Sequence, residues 1–457
     1  MNNQLNTDRA KKILIKFRWH IVIIIFLLLI LSIVILRIPG ITTPPSTNSG
    51  PAKPDSAVLT STQKPDNSAT PAPPTLTPTP EFTPTLTKSP TPIFTPTATL
   101  IALLTKPCMS YYDATNGDLK YACLTDPKNQ VWKLETVDSE GDVGLYTSLE
   151  FDTYGNPHIS YYDQTNKDLK YASYNGKEWK IEVVDPGNGE NEVGMFTSLA
   201  LDGKNQPYIS YFDATNGETK IAKLTDGNWG IDIIDTSPVA VVKIKLEFYT
   251  SIVVNAQDNP MVAYLSYNDK HLKLASWKDD AWVIESIDPA GDTGWYCSLA
   301  LDGMGNPGIS YYDRKNKLLR YAHREKDEWK IEVVDENQAG RYSSLGYDSK
   351  GMAHISFLDD EWDDLRYANW NGVTWYPRVI DRDLSTGAYT SLAMNSNDQP
   401  YISYYDITLK YLKIAYFSKY GWILWYVDKS PDVGKYNSIK FKLEYAPEPT
   451  LTPTPRK

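Results

Sequence analysis

Seven tryptophans constrain this chain more than any other feature. Trp132, Trp179, Trp229, Trp282, Trp329, Trp375 and Trp422 are separated by 47, 50, 53, 47, 46 and 47 residues. Each opens an alternating run that ends in an aspartate: Asp138, Asp185, Asp235, Asp288, Asp335, Asp381 and Asp428. A repeat of this length cannot bury both faces of its own sheet, so the copies must stack on one another. A period in the high forties built of short strands signals a propeller blade.

Each unit resolves into four strands. "SLALD" (Ser198 to Asp202), "YISYFD" (Tyr208 to Asp213), "TKIAKL" (Thr219 to Leu224) and "WGIDIID" (Trp229 to Asp235) alternate with period two and are rich in β-branched and aromatic residues. The segments between them, "GKNQP", "ATNG" and "TDGN", carry turn chemistry. The expectation is an all-β fold, a seven-bladed β-propeller of four-stranded antiparallel blades over residues 105–446. The fourth link in each unit is longer, as in "PGNGENEVGMFT", and must run from the rim of one blade to the centre of the next. That makes "SLALD" the innermost strand and the Trp strand the outermost.

The first unit, from Cys108, lacks a good inner strand, and "GKYNSIKFKL" (Gly434 to Leu443) is an inner strand with nothing after it. It is expected to complete the first blade and close the ring. The rival for that slot, "ATLIAL" (Ala98 to Leu103), lacks the lead-in seen in "GLYTS", "GWYCS", "GRYSS", "GAYTS" and "GKYNS".

"SLALDGMGNPGISYYD", with "DLKYA" in other copies, resembles bacterial extracytoplasmic β-propeller repeats of the "SLALDxxGNPHISYYDxxxxDLKYA" type. The resemblance covers about Cys108 to Tyr445 and implies the fold; it implies little about function, since that group is largely uncharacterised. The sialidase Asp-box and the WD-repeat signature are both missing.

Ahead of the repeats lies a membrane signal. "IVIIIFLLLILSIVIL" (Ile21 to Leu36) carries no charge, and Trp19 and His20 extend it towards the length needed to cross a bilayer. Arg37, Ile38 and Pro39 follow in place of a small-residue cleavage site, so residues 19–36 read as one uncleaved transmembrane helix, a signal anchor. Arg9, Lys11, Lys12, Lys16 and Arg18 precede it, which keeps residues 1–18 in the cytoplasm and exports the rest. The expected location is the plasma membrane, single-pass, with an extracytoplasmic propeller. Residues 37–104 are dominated by Pro and Thr, cannot build a core, and are expected to be a disordered, extended stalk. Residues 447–457 read as a disordered tail.

Composition then limits function. The formal net charge is −10 with no basic stripe, which argues against nucleic acid. Three Cys and five His offer no multi-Cys zinc site, no catalytic triad is suggested, and there is no Gly-rich phosphate loop. No cofactor is expected, the chain is not expected to be an enzyme, and the domain is expected to be monomeric. The Tyr pairs and the Trp series are first of all packing between blades. Asp113, Asp163, Asp213, Asp313, Asp359 and Asp406 precede tight turns and are expected to bond the turn backbone.

With this strand order one face collects two Asp per blade, and Tyr146, Phe196, Tyr249, Tyr296, Tyr342, Tyr389 and Tyr436 lie near the channel on that face. Such an acidic, aromatic funnel suits a neutral sugar, a cation or a basic protein patch. Of these, Tyr146, Tyr296, Tyr342, Tyr389 and Tyr436 are candidate ligand-binding residues. The sixth unit adds "SFLDDEWDDLRYA", whose Asp359, Asp360, Glu361, Trp362, Asp363 and Asp364 form a candidate ligand loop, a solvated acidic turn or a site for a hard cation. The fourth unit departs in having Ser266 at the Asp position. The reading is a displayed binding or interaction module for an extracytoplasmic glycan or protein. A hydrolase using paired carboxylates and a structural envelope scaffold are the alternatives.

Cys108 and Cys123 flank the turn "ATNG". If Asp113 faces Asp118, then Cys108 and Cys123, each five residues farther from the turn, face one another. A disulfide suits an exported domain; two buried thiols are the alternative, as expected for Cys297.

Overall fold

The computed structural model describes residues 104–187, 189–237, 249–383 and 385–444. The expected cytoplasmic segment, the anchor 19–36, nearly all of the stalk and the tail lie outside the described residues. The described strands form seven four-stranded antiparallel sheets arranged as a propeller. In the second blade the order from the channel outward is Val143–Phe151, Pro157–Asp163, Asp168–Tyr174 and Trp179–Asp185. The first blade takes its inner strand, Val433–Glu444, from the far end of the chain and adds Leu104–Asp113, Asp118–Asp126 and Val131–Asp138. The C-terminal segment therefore fills the closing slot. Leu104 pairs with Glu444, so the domain is entered and left at one corner, at the end of the inner strand away from Tyr436.

In the first hairpin Asp113 pairs with Asp118 and Cys108 with Cys123; the two cysteine Cα atoms lie 4.1 Å apart and the side chains are joined as a disulfide. Asp113 accepts hydrogen bonds from the backbone N–H of Thr115 and Asn116, and Asp163, Asp213, Asp313, Asp359 and Asp406 hold equivalent turns. These are the side-chain-to-backbone bonds that let Asp terminate a strand.

The core lies between blades. Tyr161, fully buried, packs with Leu119, Tyr121, Val143, Leu149, Ile159 and Ala172, drawn from the first two blades. Each such large side chain contributes about 1.5–3 kcal/mol by leaving water. The same tyrosine reaches back to the outer-strand aspartate of the preceding blade: Tyr161 to Asp138 at 2.7 Å, Tyr211 to Asp185 at 2.6 Å, Tyr264 to Asp235 at 2.9 Å, Tyr311 to Asp288 at 2.7 Å and Tyr404 to Asp381 at 2.7 Å. Tyr111 to Asp428 at 2.8 Å makes this bond across the closure.

A cation on the third strand completes the clasp by bridging two carboxylates. Lys170 lies 2.7 Å from Asp138 and 3.5 Å from Asp163; Lys413 lies 2.5 Å from Asp381 and 3.4 Å from Asp406. Lys220, Lys273, Arg320 and Arg366 do the same at their junctions. Two departures repair themselves. Ser266 replaces the fourth-blade aspartate, and Asp269 supplies the carboxylate to Lys273 at 2.5 Å. Phe357 replaces the sixth-blade tyrosine, and Arg366 reaches Asp335 at 2.8 Å.

The inner strands are tied by a second closed set. The Ser148, Ser198, Ser251, Ser298, Ser344, Ser391 and Ser438 hydroxyls each accept the backbone N–H of the next inner strand, at 2.9 to 3.2 Å. Leu149 to Ser438 is the bond that closes this circle. This explains the serine of the repeated lead-in.

Candidate functional site

The lead-in that carries this serine also builds the channel mouth. Gly144 has φ +103°, and a Cβ there would sit 2.8 Å from the Leu119 Cα of the preceding blade, so only glycine permits the close approach. Two residues on, Tyr146 is itself left-handed at φ 55°, as are Phe196, Tyr296, Tyr342, Tyr389 and Tyr436 at 52–54°. A non-glycine residue held there costs of order 1–3 kcal/mol, and such strain gathers at functional positions. Here it coincides with register shifts in the inner strand between Val143, Leu145 and Ser148. One aromatic ring per blade is thereby brought to the channel.

The seven rings close on themselves. Centroid separations run Tyr146–Phe196 4.3 Å, Phe196–Tyr249 5.1 Å, Tyr249–Tyr296 4.5 Å, Tyr296–Tyr342 4.8 Å, Tyr342–Tyr389 4.6 Å, Tyr389–Tyr436 4.5 Å and Tyr436–Tyr146 4.5 Å. Interplanar angles of 37° to 62° bracket the one-seventh turn, about 51°, expected of seven planes standing parallel to a common axis. On a seven-membered ring this spacing places each centroid about 5 Å from the axis, leaving an aperture for one small group. Burial, together with the neighbouring Tyr342 and Tyr436, raises the Tyr389 pKa far above the usual tyrosine value.

Beneath the rings lies a second layer: Thr147, Thr197, Thr250, Cys297, Ser343, Thr390 and Asn437. Several of these hold the backbone of the ring above. Thr250 donates to the Phe196 carbonyl at 2.9 Å, Ser343 to Tyr296 at 2.8 Å, Thr390 to Tyr342 at 2.7 Å and Asn437 to Tyr389 at 2.8 Å. Rings and hydroxyls line a cavity of about 150 Å³ that contains no carboxylate, imidazole, ammonium or guanidinium. Burial pushes the Cys297 thiol up to about 12, so it is not a thiolate at neutral pH.

The structure thus brings together all five candidate tyrosines and completes their ring with Phe196 and Tyr249. It also adds an outer circle that sequence reasoning did not single out. Tyr112, Tyr162, Tyr312 and Tyr405, the second tyrosines of "SYYD", lie 6.2–6.5 Å from the inner ring. Tyr112 and Tyr405 donate to Asp142 and Asp432 at 2.6 and 2.7 Å. Their signal was the doubling itself, because adjacent strand residues point to opposite faces.

The acidic part of the expected funnel is different. Asp113, Asp163, Asp213, Asp313, Asp359 and Asp406 are at most 2% exposed, and Asp138, Asp288, Asp335, Asp381 and Asp428 at most 5%. They are spent on turns and inter-blade clasps. Burial opposes the charged form of Asp138, but hydrogen bonds from Lys170 and Tyr161 hold it below the usual carboxylate range.

The acidic loop is likewise divided. Asp359 is buried and pairs with Arg366 at 3.1 Å; Asp364 is buried; Asp360 pairs with Arg341, whose guanidinium lies 5.8 Å from the Tyr342 ring centroid. Glu361, Trp362 and Asp363 are partly exposed. Among the described residues no group of three or more His, Cys, Asp or Glu converges as a metal site. His158 and His354, in equivalent hairpin positions, are held by Tyr171 and Tyr367, and burial lowers both their pKa values.

No protein-family model and no curated protein matches the chain. Among solved structures, a protein from Lactobacillus plantarum aligns at 9% identity over 74% of this chain and 99% of that chain, with a TM-score of 0.51. A triple arginine-to-alanine mutant of AofleA from Arthrobotrys oligospora aligns at 14% over 64% and 88%, with a TM-score of 0.44. Hadza microbial sialidase Hz136 aligns at 14% over 63% and 70%, with a TM-score of 0.41. The first likeness supports the propeller fold, and the other two carry no argument about this chain.

Proposed function

We propose that this chain is a single-pass, membrane-anchored protein that displays its propeller outside the plasma membrane and binds a neutral, sugar-bearing ligand at the aromatic mouth without acting on it chemically. The observation that carries the reading is the closed seven-ring mouth over a hydroxyl-lined cavity with no carboxylate, imidazole, ammonium or guanidinium, where burial keeps Tyr389 and Cys297 protonated. Aromatic faces and hydroxyls suit the apolar and polar edges of a sugar. General acid–base catalysis needs a group that can move a proton, and a glycosidase needs two acids flanking the bond. The repeated aspartates that would supply them are committed to clasps.

The test is a glycan array probed with the full-length chain in detergent, alongside Tyr342→Ala and Tyr389→Ala. Saturable binding lost in both variants is expected. A blank array rejects the sugar ligand and moves the reading to a protein partner, to be sought by crosslinking in the envelope. Release of free sugar from a bound glycan rejects the non-catalytic reading.

A further inference from the structure

The seven junctions between blades differ at their outer ends on the face opposite the aromatic mouth. Two positions decide the difference. One is the third-strand residue paired with the repeat tryptophan: Tyr174 with Trp179, Trp277 with Trp282, Trp370 with Trp375. The other is the outer-strand residue of the preceding blade, Glu135, Asp232 or Glu332. An aromatic wall and a facing carboxylate coincide at three junctions, first to second, third to fourth and fifth to sixth. Each of these holds an open cleft, of about 200, 330 and 250 Å³ respectively.

The remaining four junctions lack one or both partners. The equivalent positions hold Leu224 and Glu182 between the second and third blades, Phe417 and Arg378 between the sixth and seventh, and Leu124 and Trp425 across the closure. Between the fourth and fifth, Arg324 takes the aromatic position and closes on Glu285 at 2.5 Å, with its guanidinium 5.1 Å from the Trp329 ring centroid.

In two of the three clefts the carboxylate holds the repeat indole in place. Glu332 receives the Trp375 indole N–H at 2.7 Å, and Glu135 that of Trp179 at 3.5 Å. Asp232 is one methylene shorter, and the buried Trp282 Nε1 has no hydrogen-bond partner, as is also the case for Trp132, Trp229, Trp329 and Trp422 at the other four junctions. His323 Nε2, in the fifth-to-sixth cleft, lies 3.5 Å from Glu332. Lys133 pairs with Glu135 at 2.6 Å and Lys223 lies 4.7 Å from the Tyr208 ring centroid; with His323 they are the donors that line the clefts.

We infer that these three clefts are a second, trivalent set of binding sites, each taking one sugar unit of a polysaccharide. The aromatic wall covers the C–H face of a sugar ring, the carboxylate accepts from its hydroxyls, and the lysine or histidine donates to them. Three sites on one face suit a polymer that repeats the same unit, because linked engagement multiplies weak affinities. The inference goes beyond the mouth reading and uses none of its residues.

The test is retention of the full-length chain, in detergent, on insoluble amylose, cellulose, chitin, xylan and peptidoglycan sacculi. Retention on at least one matrix is expected. Tyr174→Ala, Trp277→Ala and Trp370→Ala should each weaken it modestly, and the triple variant by about 100-fold or more, the range that avidity supplies. The triple Glu135→Gln, Asp232→Asn, Glu332→Gln variant keeps the packing and should lose binding as well. Leu224→Trp sets an aromatic wall beside Glu182 and should tighten retention. No retention on any matrix overturns the inference, as does undiminished retention of both triple variants. Loss confined to Tyr342→Ala and Tyr389→Ala returns binding to the mouth and also overturns it.

Discussion

The clasp between the sixth and seventh blades makes an energetic prediction that a natural substitution in the same chain calibrates. Asp381 is 1% exposed and accepts from Tyr404 at 2.7 Å and Lys413 at 2.5 Å, and both donors are buried. Tyr404→Phe removes one hydrogen bond to a charged acceptor and opens no cavity, so it should cost about 1.5–2 kcal/mol. Asp381→Ala is harsher. It leaves Lys413 with Asp406 alone at 3.4 Å and strands the Tyr404 hydroxyl, for about 3–5 kcal/mol. At roughly 2 cal/mol/K per residue over some 340 residues, the unfolding entropy is ~0.7 kcal/mol/K, so the melting temperature should fall by about 2–3 °C and 4–7 °C respectively.

The sixth blade supplies the compensation. Phe357 stands at the tyrosine position there, and the Arg366 fork reaches both Asp335 and Asp359, at 2.8 and 3.1 Å. Lys413→Arg in the Tyr404→Phe background should therefore recover at least half of the loss, a coupling of about 1 kcal/mol. Near-UV circular dichroism on heating and urea titrations with unchanged m-values would measure this. If Tyr404→Phe melts with the parent, or if the double variant simply adds two losses, the clasp does not hold the blades together in the way argued.

Three further outcomes are expected. Burial and the adjacent Asp428, Asp138, Asp185, Asp235, Asp288 and Asp381 raise the pKa values of Tyr111, Tyr161, Tyr211, Tyr264, Tyr311 and Tyr404. Folded values above the unfolded one mean stability fully present below about pH 10 and lost above it, at about 1.4 kcal/mol per pH unit for each tyrosine. Absorbance at 295 nm should show a steep alkaline transition coincident with unfolding; gradual titration of all tyrosines in the folded state would contradict this. Truncation before Gly434 removes the inner strand of the first blade together with the Ser438 and Ile439 ties, and should abolish the cooperative melt; an unchanged melt would show that this strand does not close the ring. Thiol counting on the unfolded, unreduced chain should find one reactive group, Cys297, whereas three would rule out the Cys108–Cys123 bond.

Much of the fold was legible because its determinants are local. Alternation within "YISYFD", the Asp-capped turn "ATNG" and the unpaired inner strand at Gly434 each depend on a few neighbouring residues, and together they imply blade, order and closure. The opposition of Cys108 and Cys123 follows from the same turn register. The site was legible only in part. "GLYTS" repeats visibly, so the tyrosines could be placed near the channel, but alternation alone does not reveal that Tyr146 turns inward through a left-handed backbone held by Gly144 against Leu119.

The charges were legible only one residue at a time, for a physical reason. Asp138 and Asp163 lie 25 residues apart in the sequence; the turn role of Asp163 could be read there, but not that the two carboxylates share a partner. Only stacking brings Lys170 between them and buries all three, because a carboxylate's partner in a propeller stands on the next blade. The clefts follow the same rule. Tyr174 and Glu135 are each ordinary repeat residues, and they make a site only where one blade's outer edge meets the next. Strand period and turn chemistry are properties of the chain itself; which charges are neutralised and which pockets stay open are properties of the packing between blades.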